Sequence, residues 1–168
     1  MTVIAYDGRF VAADRWIVNG HGMTSITHKI EVWESEVLAT SGAADHGEAL
    51  VIWYKDGKKP AAFPVPHAGG NSSEDNGSYL YVFRRGAPVQ VFQTWPSPIL
   101  FDATEFAAGS GGDVARTAMH LGRDAREAAK VANELNIYCG GGVDYIDLDE
   151  LAITGKCAVR TYGNPSQA

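Results

Sequence analysis

Apolar positions in the first forty residues fall in short β-branched or aromatic runs, not at helical spacing. Val3–Tyr6 and Phe10–Ala13 flank Asp7-Gly8, a dipeptide suited to a hairpin turn. Trp16–Val18 prolongs the β pattern until Asn19-Gly20-His21-Gly22 breaks it. Thr24–Thr27, Lys29–Trp33 and Glu36–Thr40 predict further strands, with a turn at Glu34-Ser35. Helical periodicity first appears over Ala43 to Lys55, where Ala43, Gly47, Leu50, Val51 and Tyr54 share a face and Gly57 is a plausible stop. Ile52 and Trp53 lie off that face, which marks the helix as a candidate subunit contact.

The pattern then lapses. Lys55 to Ser78 carries Pro60, Pro64, Pro66, Gly69-Gly70 and Asn76-Gly77, and reads as a long irregular insertion. Tyr79–Arg84 and Val89–Gln93 predict a second hairpin across Gly86-Ala87-Pro88. Trp95-Pro96-Ser97-Pro98 is a stiff connection, since each proline restricts its predecessor. Phe106–Ala108 predicts a strand running into Gly109-Ser110-Gly111-Gly112. A helix follows over Asp113–Leu121, with Val114, Ala115, Ala118, Met119 and Leu121 inward. The next helix begins at Asp124, where Asp124 and Glu127 have capping-box spacing, and turns Ala125, Ala128, Ala129, Ala132 and Leu135 to one side. Val143–Leu148 alternates apolar and acidic residues, so Asp144, Asp147, Asp149 and Glu150 are expected on a solvated strand edge. Ala158–Tyr162 closes the pattern, and the tail from about residue 163 should fray. Strands, helix, strands, two helices, strands is an α+β order, not a parallel βαβ repeat.

Composition narrows the function classes. A chain of 168 residues with 45% hydrophobic and 20% charged residues builds one domain with a sizeable core. A net charge of −6, with scattered Lys and Arg, argues against nucleic-acid or anionic-membrane partners. Cys139 and Cys157 have no CxxC spacing, and the five histidines lack zinc-ligand spacing. No signal-peptide pattern opens the chain and no apolar run nears the roughly 20 residues of a membrane span, so a reducing cytoplasm is the default. Ser110 is no nucleophile elbow, because Ala108 occupies the first glycine position of G-x-S-x-G. The glycines around it are no phosphate loop either, lacking a following Lys-Ser/Thr.

One residue near the start carries a different chemistry. If Met1 is removed, as the small Thr2 permits, Thr2 combines a hydroxyl nucleophile with an α-amine as its own base. Thr2, Asp14, Lys29, Ser41-Gly42-Ala43-Ala44-Asp45, Gly109-Ser110-Gly111 and Tyr138-Cys139-Gly140-Gly141 occur in the order seen in proteasome β-subunits. The chain resembles that family of N-terminal-nucleophile hydrolases over almost its whole length, and the HslV peptidase more closely. The resemblance implies a four-layer αββα sandwich of two antiparallel sheets between helical layers. It implies Thr2 as nucleophile, Lys29 beside it to lower the amine's pKa, Asp14 to hold Lys29, and Ser110 on the amine. The Ser41 and Gly42 backbone would form the oxyanion hole, with Ser41 also a candidate helix cap. Thr27, Glu31, Ala39 and Ala43 would line the substrate pocket, the small alanines leaving room for a bulky apolar side chain.

Departures from the family pattern occur at three positions. Ser41 replaces a glycine, and Asn136 and Cys139 stand where proteasome subunits tend to have Asp and Ser. Asn136 can orient a neighbour by hydrogen bonding but supplies no charge. The family's corresponding loop often holds a structural monovalent or divalent cation on backbone carbonyls, here near Asn133, Asn136 and Cys139; the chemistry itself needs no cofactor. Partners implied by the resemblance are further copies in a ring, unfolded polypeptide substrates and an ATP-dependent unfoldase. The long irregular insertion, where HslV has another helix, leaves the ring geometry open. The alternatives are a catalytically silent ring subunit and an amidase acting on small amides.

Overall fold

The computed structural model describes residues 2–18, 24–65 and 77–162. Two five-stranded antiparallel sheets stack face to face. The first contains β1 (Ile4–Tyr6), β2 (Phe10–Asp14), β10 (Phe106–Ala108), β11 (Val143–Asp147) and β12 (Arg160–Tyr162), in the order β10-β1-β2-β11-β12. The second contains β5 (Ile30–Trp33), β6 (Glu36–Ser41), β7 (Tyr79–Phe83), β8 (Val89–Phe92) and β9 (Ile99–Phe101), in sequence order. A separate two-stranded ribbon pairs β3 (Trp16–Val18) with β4 (Thr24–Ile26).

Strand alternation sorts the side chains into three cores. Ile4, Tyr6, Val11 and Ala13 meet Val37, Ala39, Tyr81 and Phe83 between the sheets. The alternate residues Val3, Ala5, Phe10 and Ala12 face α2 (Gly112–His120) and α3 (Ala125–Leu135). On the other sheet Leu38, Leu80, Val82 and Phe92 face α1 (Ala44–Lys55). Because both faces of β1 and β2 are covered, these strands read as unbroken apolar runs. The expected αββα sandwich is thus present. The alanines of α2 and α3 let these helices lie close to each other and to the sheet. Asp124 caps α3 by accepting from the Arg126 and Glu127 amides.

Several sequence expectations need correction. Trp53 is buried against Phe63 and Phe92 with its indole N–H on the Lys59 carbonyl, so it offers no subunit contact; Ile52 is exposed. Leu121 and Leu135 sit at the ends of their helices and point to solvent. The acidic strand is no solvated edge: β11 lies between β2 and β12, and Asp144 and Asp147 are buried. Asp147 ion-pairs with Arg9 and caps α4 (Leu148–Thr154), a helix the sequence pattern did not predict, which ends on left-handed Gly155. Its signal was present in the Asp147–Glu150 spacing. β9 was likewise not predicted, being hidden behind the proline-rich connection. Of the irregular insertion, a short 3-10 turn at Pro60–Ala62 is described, and residues 66–76 lie outside the described residues, as do the Asn19–Gly22 break and the tail from 163. No helix among the described residues is long and apolar enough to cross a membrane.

Candidate active site

Thr2 lies at the head of β1, 4% exposed, at one end of an open cleft of about 630 Å³. The cleft is walled by the β3–β4 ribbon on one side and by the end of β6 and the start of α1 on the other. Lys29, Thr40, Ser41 and Gly42 line it with Thr2.

The backbone nitrogen of Thr2 donates to Ser110 Oγ at 2.9 Å, and that hydroxyl in turn lies 3.2 Å from the Thr2 carbonyl oxygen. Ser110 is held from behind: Asn136 Nδ2 donates to the Ser110 carbonyl at 2.8 Å, while Asn136 Oδ1 accepts from the Tyr138 amide. Asn136 therefore orients the serine with its amide, without charge. Gly109 adopts φ +82°, and a Cβ there would lie 2.2 Å from the Thr2 carbonyl oxygen. The residue that positions Thr2 from below must be glycine on both counts. Gly109→Ala is expected to destabilise the fold by roughly 3 kcal/mol or more, read from the denaturant midpoint.

Asp14, fully buried at the end of β2, gathers three donors. Lys29 Nζ lies 2.8 Å from Oδ1, the Val3 amide donates to the same oxygen at 2.9 Å, and the Gly140 amide reaches Oδ2 at 3.3 Å. A buried carboxylate and a nearly buried ammonium are tolerated because each satisfies the other. The lysine side chain is 8% exposed, on the cleft lining. It precedes β5 directly, which explains its place in an otherwise apolar run.

At the opposite wall Gly42 has φ +106°, and a Cβ would meet the Gly77 carbonyl at 2.7 Å. Glycine is required there and not at Ser41, which ends β6 without a positive φ. The departure at Ser41 is therefore compatible with the turn. Ser41 does not cap α1. The cap position is Ala43 with no side-chain bond, its carbonyl accepts from Ser78 Oγ, and Ser41 Oγ lies 3.0 Å from the Tyr81 hydroxyl. Burial pushes the Tyr81 phenol up to about 12, so it stays protonated. His46 is buried beside the turn and accepts from the Ser78 amide through Nδ1, an anchoring role that no local motif announces.

The pocket residues divide. Thr27 and Ala43 line the cleft, and Glu31 lines an adjoining recess of about 260 Å³, where it pairs with Lys55 at 2.5 Å. Ala39 does not. It is fully buried between the sheets, and its neighbours Leu38 and Thr40 face the recess instead, because adjacent strand residues point to opposite faces. The recess also holds Glu48, so the space is more polar than small alanines suggest.

Among the described residues no group of three or more His, Cys, Asp or Glu side chains converges to hold a metal ion. Near the loop linked to a cation, Asn133 Oδ1 is buried without a hydrogen-bond partner among the described residues, whereas the Asn136 carbonyl accepts from the Cys139 amide. Cys139 is buried beneath Gly111, and desolvation, aided by Asp14, pushes its thiol up to about 11. At pH 7.5 the folded protein is expected to take an iodoacetamide label at the part-exposed Cys157 well before Cys139, as peptide mass mapping would read.

No family model and no curated sequence matches the chain. Solved structures do. A Thiobacillus denitrificans BPH in complex with epoxomicin aligns at TM-score 0.63 and 19% identity, covering 86% of this chain and 96% of that one. Eukaryotic HslV from Trypanosoma brucei aligns at 0.61 and 18% identity, covering 86% and 97%. Anbu from Hyphomicrobium sp. strain MC1 aligns at 0.61 and 13% identity, covering 98% and 88%. The chain has the N-terminal-nucleophile hydrolase fold. Within that fold, the cleft at Thr2 opens where the ends of β1, β2 and β6 converge, and the alternation of β1 sends Val3 into one core and Ile4 into the other.

Proposed function

We propose that the chain is a threonine-type peptidase whose nucleophile is Thr2, exposed as the first residue by removal of Met1. The observation that carries this reading is the meeting at Thr2 of Ser110, held 2.9 Å from its nitrogen, with Lys29, which lines the same cleft and is held by the buried Asp14. In a processed chain that nitrogen is an α-amine with an ordinary pKa of roughly 7.7–8.0, suited to accept and return a proton near neutrality. The Lys29 cation, fixed by Asp14, favours the neutral amine and the departure of the hydroxyl proton.

The reaction follows from these roles. Thr2 Oγ attacks the scissile carbonyl carbon while its proton passes to the α-amine. The backbone N–H groups at Ser41 and Gly42 take the oxyanion, a contribution of roughly 2.7–4 kcal/mol per donor in comparable sites. The C–N bond breaks, the α-ammonium protonates the leaving amine, and an ester to Thr2 remains. Water, deprotonated by the same amine, then hydrolyses that ester and restores the hydroxyl.

The substrates we assign are unfolded polypeptides, cut in a cytoplasmic homo-oligomer fed by an ATP-dependent unfoldase. The test begins with intact mass, which should show a chain lacking Met1. A peptide electrophile that requires both the hydroxyl and the amine of an N-terminal threonine should then modify the Thr2 peptide alone. Retained Met1, or modification elsewhere, would overturn the reading.

A further inference from the structure

Beside the Asp14–Lys29 pair lies a second buried carboxylate that the reaction above does not use. Asp144, 1% exposed, stands next to Val143, which pairs with Asp14, so neighbouring positions of two adjacent strands hold the two carboxylates. Three segments converge on it. His28 Nδ1 lies 2.6 Å from Oδ2, Thr161 Oγ1 donates to Oδ1 at 3.0 Å, and Arg15 Nε approaches Oδ1 at 3.6 Å. His28 and Lys29 are consecutive, so one short segment is pinned to the first sheet twice, at Asp144 and at Asp14.

Arg15 and His28 also bracket the β3–β4 ribbon, which pairs with neither sheet. Its base is closed by the Thr27 amide on the Arg15 carbonyl at 2.9 Å, and the Arg15 and Trp16 amides reach the Gly140 carbonyl at 3.0 Å. Trp16, Ile17, Thr24 and Ser25 of that ribbon form one wall of the cleft. A two-stranded ribbon has little stability of its own, so its angle is set by what grips its base. Asp144 holds the His28 leg by a hydrogen bond and meets the Arg15 leg by an ion pair at 3.6 Å.

We propose that Asp144 is a positioning residue for the peptidase cleft, acting through His28 to fix Lys29 and through Arg15 to fix the ribbon wall. The inference rests on the peptidase reading. Chemically, the carboxylate requires an N–H at His28 Nδ1, and the position asks only for that donor. The imidazole is otherwise 62% exposed, so replacing it leaves the core intact. Asparagine places an amide N–H near the Nδ1 position, whereas alanine leaves the buried carboxylate short of a donor.

The experiment compares His28→Ala, His28→Asn and Asp144→Asn in the full oligomer. It reads kcat and KM on a fluorogenic peptide, and hydrogen exchange of the residue 24–30 amides. His28→Ala is expected to lower kcat on the order of 100-fold, the scale of a misplaced catalytic group, with KM moving less and exchange of that segment accelerating. Asp144→Asn should shift both in the same direction. His28→Asn should restore both. The proposal fails if His28→Ala matches the wild type. It also fails if His28→Asn is as slow as His28→Ala, since the imidazole itself would then be required. If the wild type neither cleaves peptides nor labels at Thr2, the peptidase reading fails and takes the positioning role with it. The exchange data would then still show separately whether the clamp on the ribbon exists.

Discussion

On the proposed peptidase reading, Thr2→Ala is expected to lower peptide hydrolysis by more than about 1000-fold while the melting temperature stays at the wild-type value. The size follows from the chemistry: without Oγ there is no atom to attack the carbonyl and no ester to resolve. The Ser41-Gly42 turn, to which we assign the oxyanion, and the cleft remain, so a small residual rate over water should persist. Stability should hold because alanine keeps the backbone that meets Ser110 and the glycine beneath it. Thr2→Ser should retain part of the rate, since it keeps the hydroxyl and the amine together. A Thr2→Ala protein with wild-type turnover would place the nucleophile elsewhere.

Asp14→Ala is expected to be the most damaging single change to stability near the cleft. It strips one buried carboxylate from three donors: the Lys29 ammonium and the Val3 and Gly140 amides. Removing one partner of a buried ion pair costs about 3–5 kcal/mol, and the Val3 and Gly140 amides lose their acceptor with it. Urea unfolding should show a lower midpoint with an unchanged slope if the native state otherwise keeps its shape. On the peptidase reading activity should fall as well, since Lys29 loses the carboxylate that aims it. Lys29→Met removes the other partner of the same pair and leaves the buried Asp14 carboxylate on its two amide donors, so it should lower stability and, on the peptidase reading, activity together.

Much of this arrangement was legible because strand alternation is a strong signal when both faces of a sheet are covered. The runs Val3–Tyr6 and Phe10–Ala13 could hardly be anything but interior strands, and they bracket Thr2 and Asp14. Lys29 stood out as a charge embedded in an apolar run. Other residues were illegible for definable reasons. Ala39 was placed in the pocket by the family resemblance, and neither its type nor its neighbours reveal which way a central strand residue points; a one-residue shift exchanges the core for the recess. Asp144 was read as solvated because an acidic residue in an alternating strand normally marks a wet face, and only tertiary structure brings His28, Arg15 and Thr161 to it. The α4 cap was written in Asp147 and Glu150, yet their run of acidic neighbours masked it.

The two sheets also differ in how the chain supplies them. The second sheet is built from one continuous stretch, residues 30–101, whereas the first joins residues 4–14 to residues 106–162. During synthesis β10 follows directly on the last strand of the second sheet, whereas β11, which flanks β2, and β12 emerge only with residues 143–162. Ser110 and Gly140, which complete the surroundings of Thr2 and Asp14, both arrive after the second sheet. A nascent or truncated chain thus holds Thr2 and Asp14 without the partners that position them until Gly140 has emerged.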